Sequence, residues 1–123
     1  MARYAARVAK LIQKKVQQKT AAVARDVLTG VVSATPEDTS HAIGNWQVGL
    51  GSAPTGEIEG TDPGGTSAIA SGIATIAGSK FPQPIHIANN VDYLAQLVAG
   101  SSDQAPADFV NNEVQKVVRK HKR

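Results

Sequence analysis

Apolar residues recur through the first 34 positions at the spacing of a helix. At about 100° per residue, Val8, Ala9, Ile12, Val16, Val23, Val27 and Val31 share one broad sector, the predicted core face. Arg3, Arg7, Lys10, Lys14 and Arg25 gather on a different side. Neither Gly nor Pro intervenes before Gly30, and Pro36 steers Thr35 away from helical geometry. The pattern predicts a long basic amphipathic helix over 1–34, regular from about Ala5 and roughly 40 Å long. So long a helix in so short a chain is expected to project its first turns from the body.

The period then changes. Trp46-Gln47-Val48-Gly49-Leu50 alternates as a half-buried strand does, and Pro84-Ile85-His86-Ile87-Ala88 reads as a second one. His86 should point opposite to Ile85 and Ile87, as a partly exposed sheet residue. Residues 51–66, rich in Gly and Pro, predict a flexible loop, with Glu57–Glu59 as a candidate short edge strand. Ile69, Ile73 and Ile76 then recur at helical spacing, with Thr66 or Ser67 as cap and Gly78 as stop. The alternative there is a small-residue strand.

A compact helix follows, with Asp92 as cap, Tyr93, Leu94, Leu97 and Val98 apolar, and Gly100 as stop. Ser101–Gln104 predict a turn, and Pro106 opens a last helix with Phe109, Val110, Val114, Val117 and Val118 inward. The basic tail over 119–123 is expected to fray. The sum is one α+β domain over 1–123: a long N-terminal helix, a small mostly antiparallel sheet, two short helices and a C-terminal helix.

Composition sharpens this in two ways. With five aromatic residues the core must be built from Val, Ile, Leu and Ala, which is compatible with stability shared between subunits. Charge is strongly segregated. Residues 1–25 hold seven basic groups and no acid, residues 116–123 hold five more, and the middle holds all ten carboxylates with Lys80 alone. Two electrostatic surfaces follow; one could face nucleic acid, or the two could meet on neighbouring subunits. With no cysteine, disulfides and thiolate metal sites are excluded. No stretch approaches the roughly 20 apolar residues of a membrane span.

Catalytic patterns are weak. Gly51–Gly56 has the spacing of a phosphate loop, yet Glu57 stands where its Lys belongs and would repel phosphate. Glu37 and Asp38 could serve acid–base work or hold a metal, but turn carboxylates are ordinarily just solvated. His41, His86 and His121 show no local pairing. No cofactor site is legible. Arg3, Arg7, Lys10 and Lys14 form a continuous stripe fit for DNA phosphates or for an acidic protein surface.

Two separated segments carry a resemblance. TPEDTSHAIGNW (35–46) resembles the TPVDTG…ANW signature of tailed-bacteriophage tail-completion proteins, also called neck or head–tail joining proteins. NNVDYLAQLVAGSSDQAPADFV (89–110) is similar to that family's N-N-x-P-Y-x-x-x-L-E-x-G-x-S-x-Q-A-P-x-G-F-V block. Order and spacing match over about residues 5–118. The resemblance marks Thr35, Pro36, Asp38, Thr39, Trp46, Asn89, Asn90, Tyr93, Gly100, Ser102, Gln104, Ala105 and Pro106 as motif or interface residues. This chain has Ser40 for the usual Gly, Ile43 for Arg, Asp92 for Pro, Val98 for Glu and Asp108 for Gly. Losing the Arg and the Glu together is consistent with a neutralised contact between the motifs.

The resemblance implies structural work without catalysis or cofactor. Such proteins form rings, commonly hexamers, between capsid and tail, touching the connector or adaptor and the tail tube while DNA passes through. It implies a location in the virion at the head–tail junction, after synthesis in the host bacterial cytoplasm, with no membrane partner. The basic helix would face passing DNA or an acidic ring, and the 51–66 loop could order against a neighbour. Two alternatives from other classes are a small sequence-independent DNA-binding protein and a metal-dependent hydrolase using Glu37 and Asp38. For the opening motif, the residues predict a corner: Thr35-Pro36 ends the helix, Asp38, Thr39 and Ser40 satisfy turn donors, and Trp46 anchors the first strand. Its indole N–H then needs a partner.

Overall fold

The computed structural model describes residues 2–37, 40–99 and 108–122, with side chains from Arg7 onward except that of Leu97. Asp38, Thr39, Gly100, Ser102, Gln104, Ala105, Pro106 and the Ser101–Gln104 turn therefore lie outside the described residues, as does the side chain of Arg3. Helix α1 runs Ala2–Ala34, followed by a short α2 (Ser40–Ile43) and strand β1 (Trp46–Leu50). A 3-10 turn at Pro63–Gly65 leads into α3 (Thr66–Ala77); then come β2 (Ile85–Asn89), α4 (Leu94–Val98) and α5 (Phe109–His121). The mixed helix-and-sheet class expected from sequence is the one observed.

The sheet is a two-stranded antiparallel ribbon, with Trp46 opposite Asn89, Val48 opposite Ile87 and Leu50 opposite Ile85. An isolated ribbon is marginal in water and needs a packed face. Here Trp46, Val48, Ile85 and Ile87 turn to a core shared with α1 and α3, built on Ala24, Leu28, Val31, Val32, Ile43, Ala68 and Ile76. The ribbon and α3 approach closely because Gly72 lies against Leu28 and Val48, where a Cβ would strike the Leu28 methyl. A second cluster joins Ala42, Val91 and Phe109 under α5. Leu94 and Val110 pack against both clusters.

Helix α5 runs antiparallel to the second half of α1. Glu113 lies against the Gly30 backbone, and His121 Nε2 sits 2.7 Å from Asp26 Oδ2. Lys120 Nζ donates to the same oxygen at 3.0 Å. The hydrogen bond from His121, then that from Lys120, holds the Asp26 carboxyl below its ordinary value, so it stays ionised. The C-terminal basic run is thus helical to His121 and clasped to α1, where fraying was expected.

Several local expectations are corrected. No strand forms at 57–59; the segment is an extended loop whose Ile58 bonds to a side chain instead of a neighbouring strand. Thr66 and Ser67 do not cap α3. The Asp62 carboxylate does, accepting from Ser67 N–H at 3.2 Å and Ala68 N–H at 2.8 Å. Gly78 ends α3 as expected, its N–H donating to the Thr75 carbonyl. Asp92 does not cap α4, which begins two residues later with Leu94 N–H bonded to Val91 O. Ile73 and Val118 face outward, because the buried rows of their helices run through Ala68, Gly72 and Ile76 and through Phe109 and Val117.

The largest correction concerns α1. Ala24, Leu28, Val31 and Val32 form its inner face, and at about 100° per residue this is the side on which Arg7, Lys10 and Lys14 stand further up. The sector expected to be the core face is covered only in its lower half, where α5 lies along it. Val8, Ile12 and Val16 in its upper half are exposed, as are Leu11 and all described residues from Arg7 to Val16. The projecting first turns are as expected; their apolar side meets nothing of this chain.

Candidate assembly surface

The two motif segments, 35–46 and 89–93, meet in space around α2. Thr35 wraps the end of α1: its hydroxyl donates to Val31 O at 2.6 Å and accepts the indole N–H of Trp46 at 2.8 Å. Both residues are buried, so this partner satisfies the indole donor that the sequence left open. Pro36 is buried beside them. From the other segment, half-buried Asn89 donates to Ala42 O at 2.9 Å and accepts from Val91 N–H at 3.1 Å. Tyr93 is half-buried against Ala42. Burial, reinforced by the nearby Glu57 charge, pushes its phenol up, while a hydrogen bond from the Ala42 backbone opposes the rise. Ile43 is buried in the main core and Val98 packs on the second cluster, so two positions that resemble charged ones serve apolar packing here.

The same corner ties down the glycine-rich loop. Asn45, 1 % exposed, is the central fastener. It donates to His41 O at 2.8 Å and Ile58 O at 3.0 Å, and accepts from Ile58 N–H at 2.6 Å. Gln47 donates to Gly56 O, and Asn90 to Pro54 O and Gly56 O. A segment expected as a flexible loop is therefore laced to the ribbon by side-chain amides. Sequence reasoning did not single out Asn45. The signal was the Asn that precedes Trp46 in the motif, whose Ile58 partners lie 13 residues away.

His41 adds a fastener that responds to pH. Its Nδ1 lies 2.6 Å from Gly60 O, and its Nε2 3.4 Å from Glu57 Oε1. The Gly60 carbonyl first, then Glu57, favour the protonated ring and raise His41 above its ordinary 6.5. Because the folded value is the higher one, its contribution is complete below the unfolded value and is lost as pH rises through the folded value. Amide exchange across 57–62 should accelerate over that rise, and in His41→Gln the step should disappear.

A groove of about 370 Å³ runs between β1, α3 and residues 58–62, bordered by Glu59 and Asp62. With exposed Glu57 it makes this end of the molecule acidic. Arg7, Lys10 and Lys14 are exposed at the other end, on the projecting half of α1. The clasp at Asp26 brings Lys120 and His121 to the root of that projection, with Lys122 next in the chain, whereas Lys116 and Arg119 border a cleft with Thr35, Pro36 and Glu37 at the far end of α1. The sequence stripe is therefore not joined to the motif corner; the two occupy opposite poles.

Among the described residues, no group of three or more His, Cys, Asp or Glu side chains could hold a metal ion. Among the same residues, no helix is long and apolar enough to cross a membrane. No family model, curated protein or solved structure matches this chain.

Proposed function

We propose that this chain is a structural virion protein of a tailed bacteriophage, forming a ring at the head–tail junction through which DNA passes. One observation carries the reading: segments more than forty residues apart, each resembling a signature of tail-completion proteins, close on one corner through Asn89 and Ala42. The corner fixes the end of α1 against the ribbon and laces the acidic loop beside it. Basic and acidic poles on one subunit suit a head-to-tail contact, which closes into a ring when its rotation closes. Its work is shape and interface formation, and its partners are further copies, the connector or adaptor, and the tail tube.

The test is genetic. A phage deprived of this chain should accumulate DNA-filled capsids and separate tails that do not join. Normal numbers of infectious particles would overturn the reading.

A second reading, a small sequence-independent DNA-binding protein, draws on the cations of α5 gathered beside those of α1. It requires tight duplex binding by the free subunit, with affinity falling steeply as salt rises. Anisotropy measured across a salt series separates the two.

A further inference from the structure

The apolar sector of α1 is a single seam that this chain only half covers. Val8, Ile12, Val16, Val23, Val27, Gly30 and Ala34 lie within about 100° of the helix circumference. From Asp26 downward α5 fills it, until its last turn reaches the Asp26 carboxylate at His121. Above that point Val8, Ile12 and Val16 are 54 %, 58 % and 44 % exposed, and Val16, Lys19, Thr20 and Val23 line a shallow depression. Such a row on an isolated, projecting helix is an interaction surface, because single scattered apolar residues would not align.

We propose that a second copy of this chain occupies the upper seam, through the outer face of its α3 and the acidic border beside it. Charge selects this occupant. The projecting stretch from Arg7 to Lys19 carries Arg7, Lys10, Lys14, Lys15 and Lys19 and no acid, so a second α1 laid against it would set cation against cation. Helix α3 carries no charged residue, and its exposed Ile73 is flanked by Ala70, Ala74 and Ala77. At its edge stand Glu59 and Asp62. On the wheel, Lys15 borders the α1 seam and Lys19 stands within it, between the directions of Val8 and Ile12, so that both cations can meet those carboxylates. Different surfaces meet, so the contact is heterologous and repeats from copy to copy. This deepens the ring reading above and rests on it for the claim that the repeat closes.

Both faces are exposed, so substitutions there spare the fold. Ile12→Glu and Ile73→Glu should each keep the wild-type circular dichroism and a cooperative melt, and each should lose the oligomer in sedimentation velocity. Mixed together, they should form a 1:1 dimer and nothing larger. The Ile73→Glu chain still offers an intact α1, and the Ile12→Glu chain an intact α3. If Ile12→Glu alone disrupts assembly, the occupant is not α3 and the inference is overturned. An oligomer that survives both substitutions also overturns it, leaving a ring built through another face. A wild-type chain monomeric at every attainable concentration overturns it too, while the head–tail reading is still decided by the deletion phenotype.

Discussion

Trp46→Ala should unfold the domain at a free energy about 3–5 kcal/mol lower than wild type. Its ring is buried at the junction of α1, the ribbon and α3, and removing it leaves a cavity that the ribbon cannot collapse into. The indole N–H also fills the acceptor of Thr35, whose hydroxyl holds the last turn of α1 through Val31 O. Since domains of this size hold only about 5–15 kcal/mol in total, the loss approaches complete unfolding. Urea titration followed by far-ultraviolet circular dichroism measures it. Trp46→Phe keeps most of the packing and forfeits the hydrogen bond, so its cost should be about 1–3 kcal/mol. Equal melting of Trp46→Phe and Trp46→Ala would show that the Thr35 bond, not the packing, anchors the corner.

Phe109→Ala should cost a similar ~3–5 kcal/mol, for a different reason. Phe109, 2 % exposed, joins Ala42 and Val91 and ties α5 to the corner made by the two motif segments. Its removal should free the first turns of α5 while the Asp26 clasp still holds the last. Trp46 fluorescence reports the transition, because the indole belongs to the other cluster. The broadened, less cooperative melt expected here would distinguish Phe109→Ala from a uniform loss of stability.

Both effects depend on features unequally legible in the sequence. The elements were readable because period and punctuation agreed: no breaker before Gly30 in α1, Pro36 beyond it, alternation in β1, and Gly78 after α3. The inner face of α1 was not. Its apolar residues populate two sectors, and period alone cannot say which one a neighbouring element covers. Ala24 and Leu28 won the core because Gly72 lets α3 come close, a fact about a residue more than forty positions away. The loop escaped for a related reason. Composition marks 51–66 as unable to form helix or strand, but the amides that lace it belong to Asn45, Gln47 and Asn90, outside the loop. The cap of α3 was missed because Asp62 reaches past the 3-10 turn that separates it from the helix.

In the candidate site, the motif resemblance located Trp46, Asn89 and Tyr93, and the structure brings them to one corner. Charge segregation located the basic stripe, but linear charge could not reveal that α5 would carry its own cations to the same pole. Antiparallel packing across Asp26 does that.

The proposed role of this chain is that of a ring-forming component of the head–tail junction. Gold-labelled antibody against the chain, applied to purified phage particles and imaged by electron microscopy, tests it most directly. Label confined to the neck, between capsid vertex and tail tube, is the expected result. Particles of full infectivity that carry no label and no trace of the chain would contradict it.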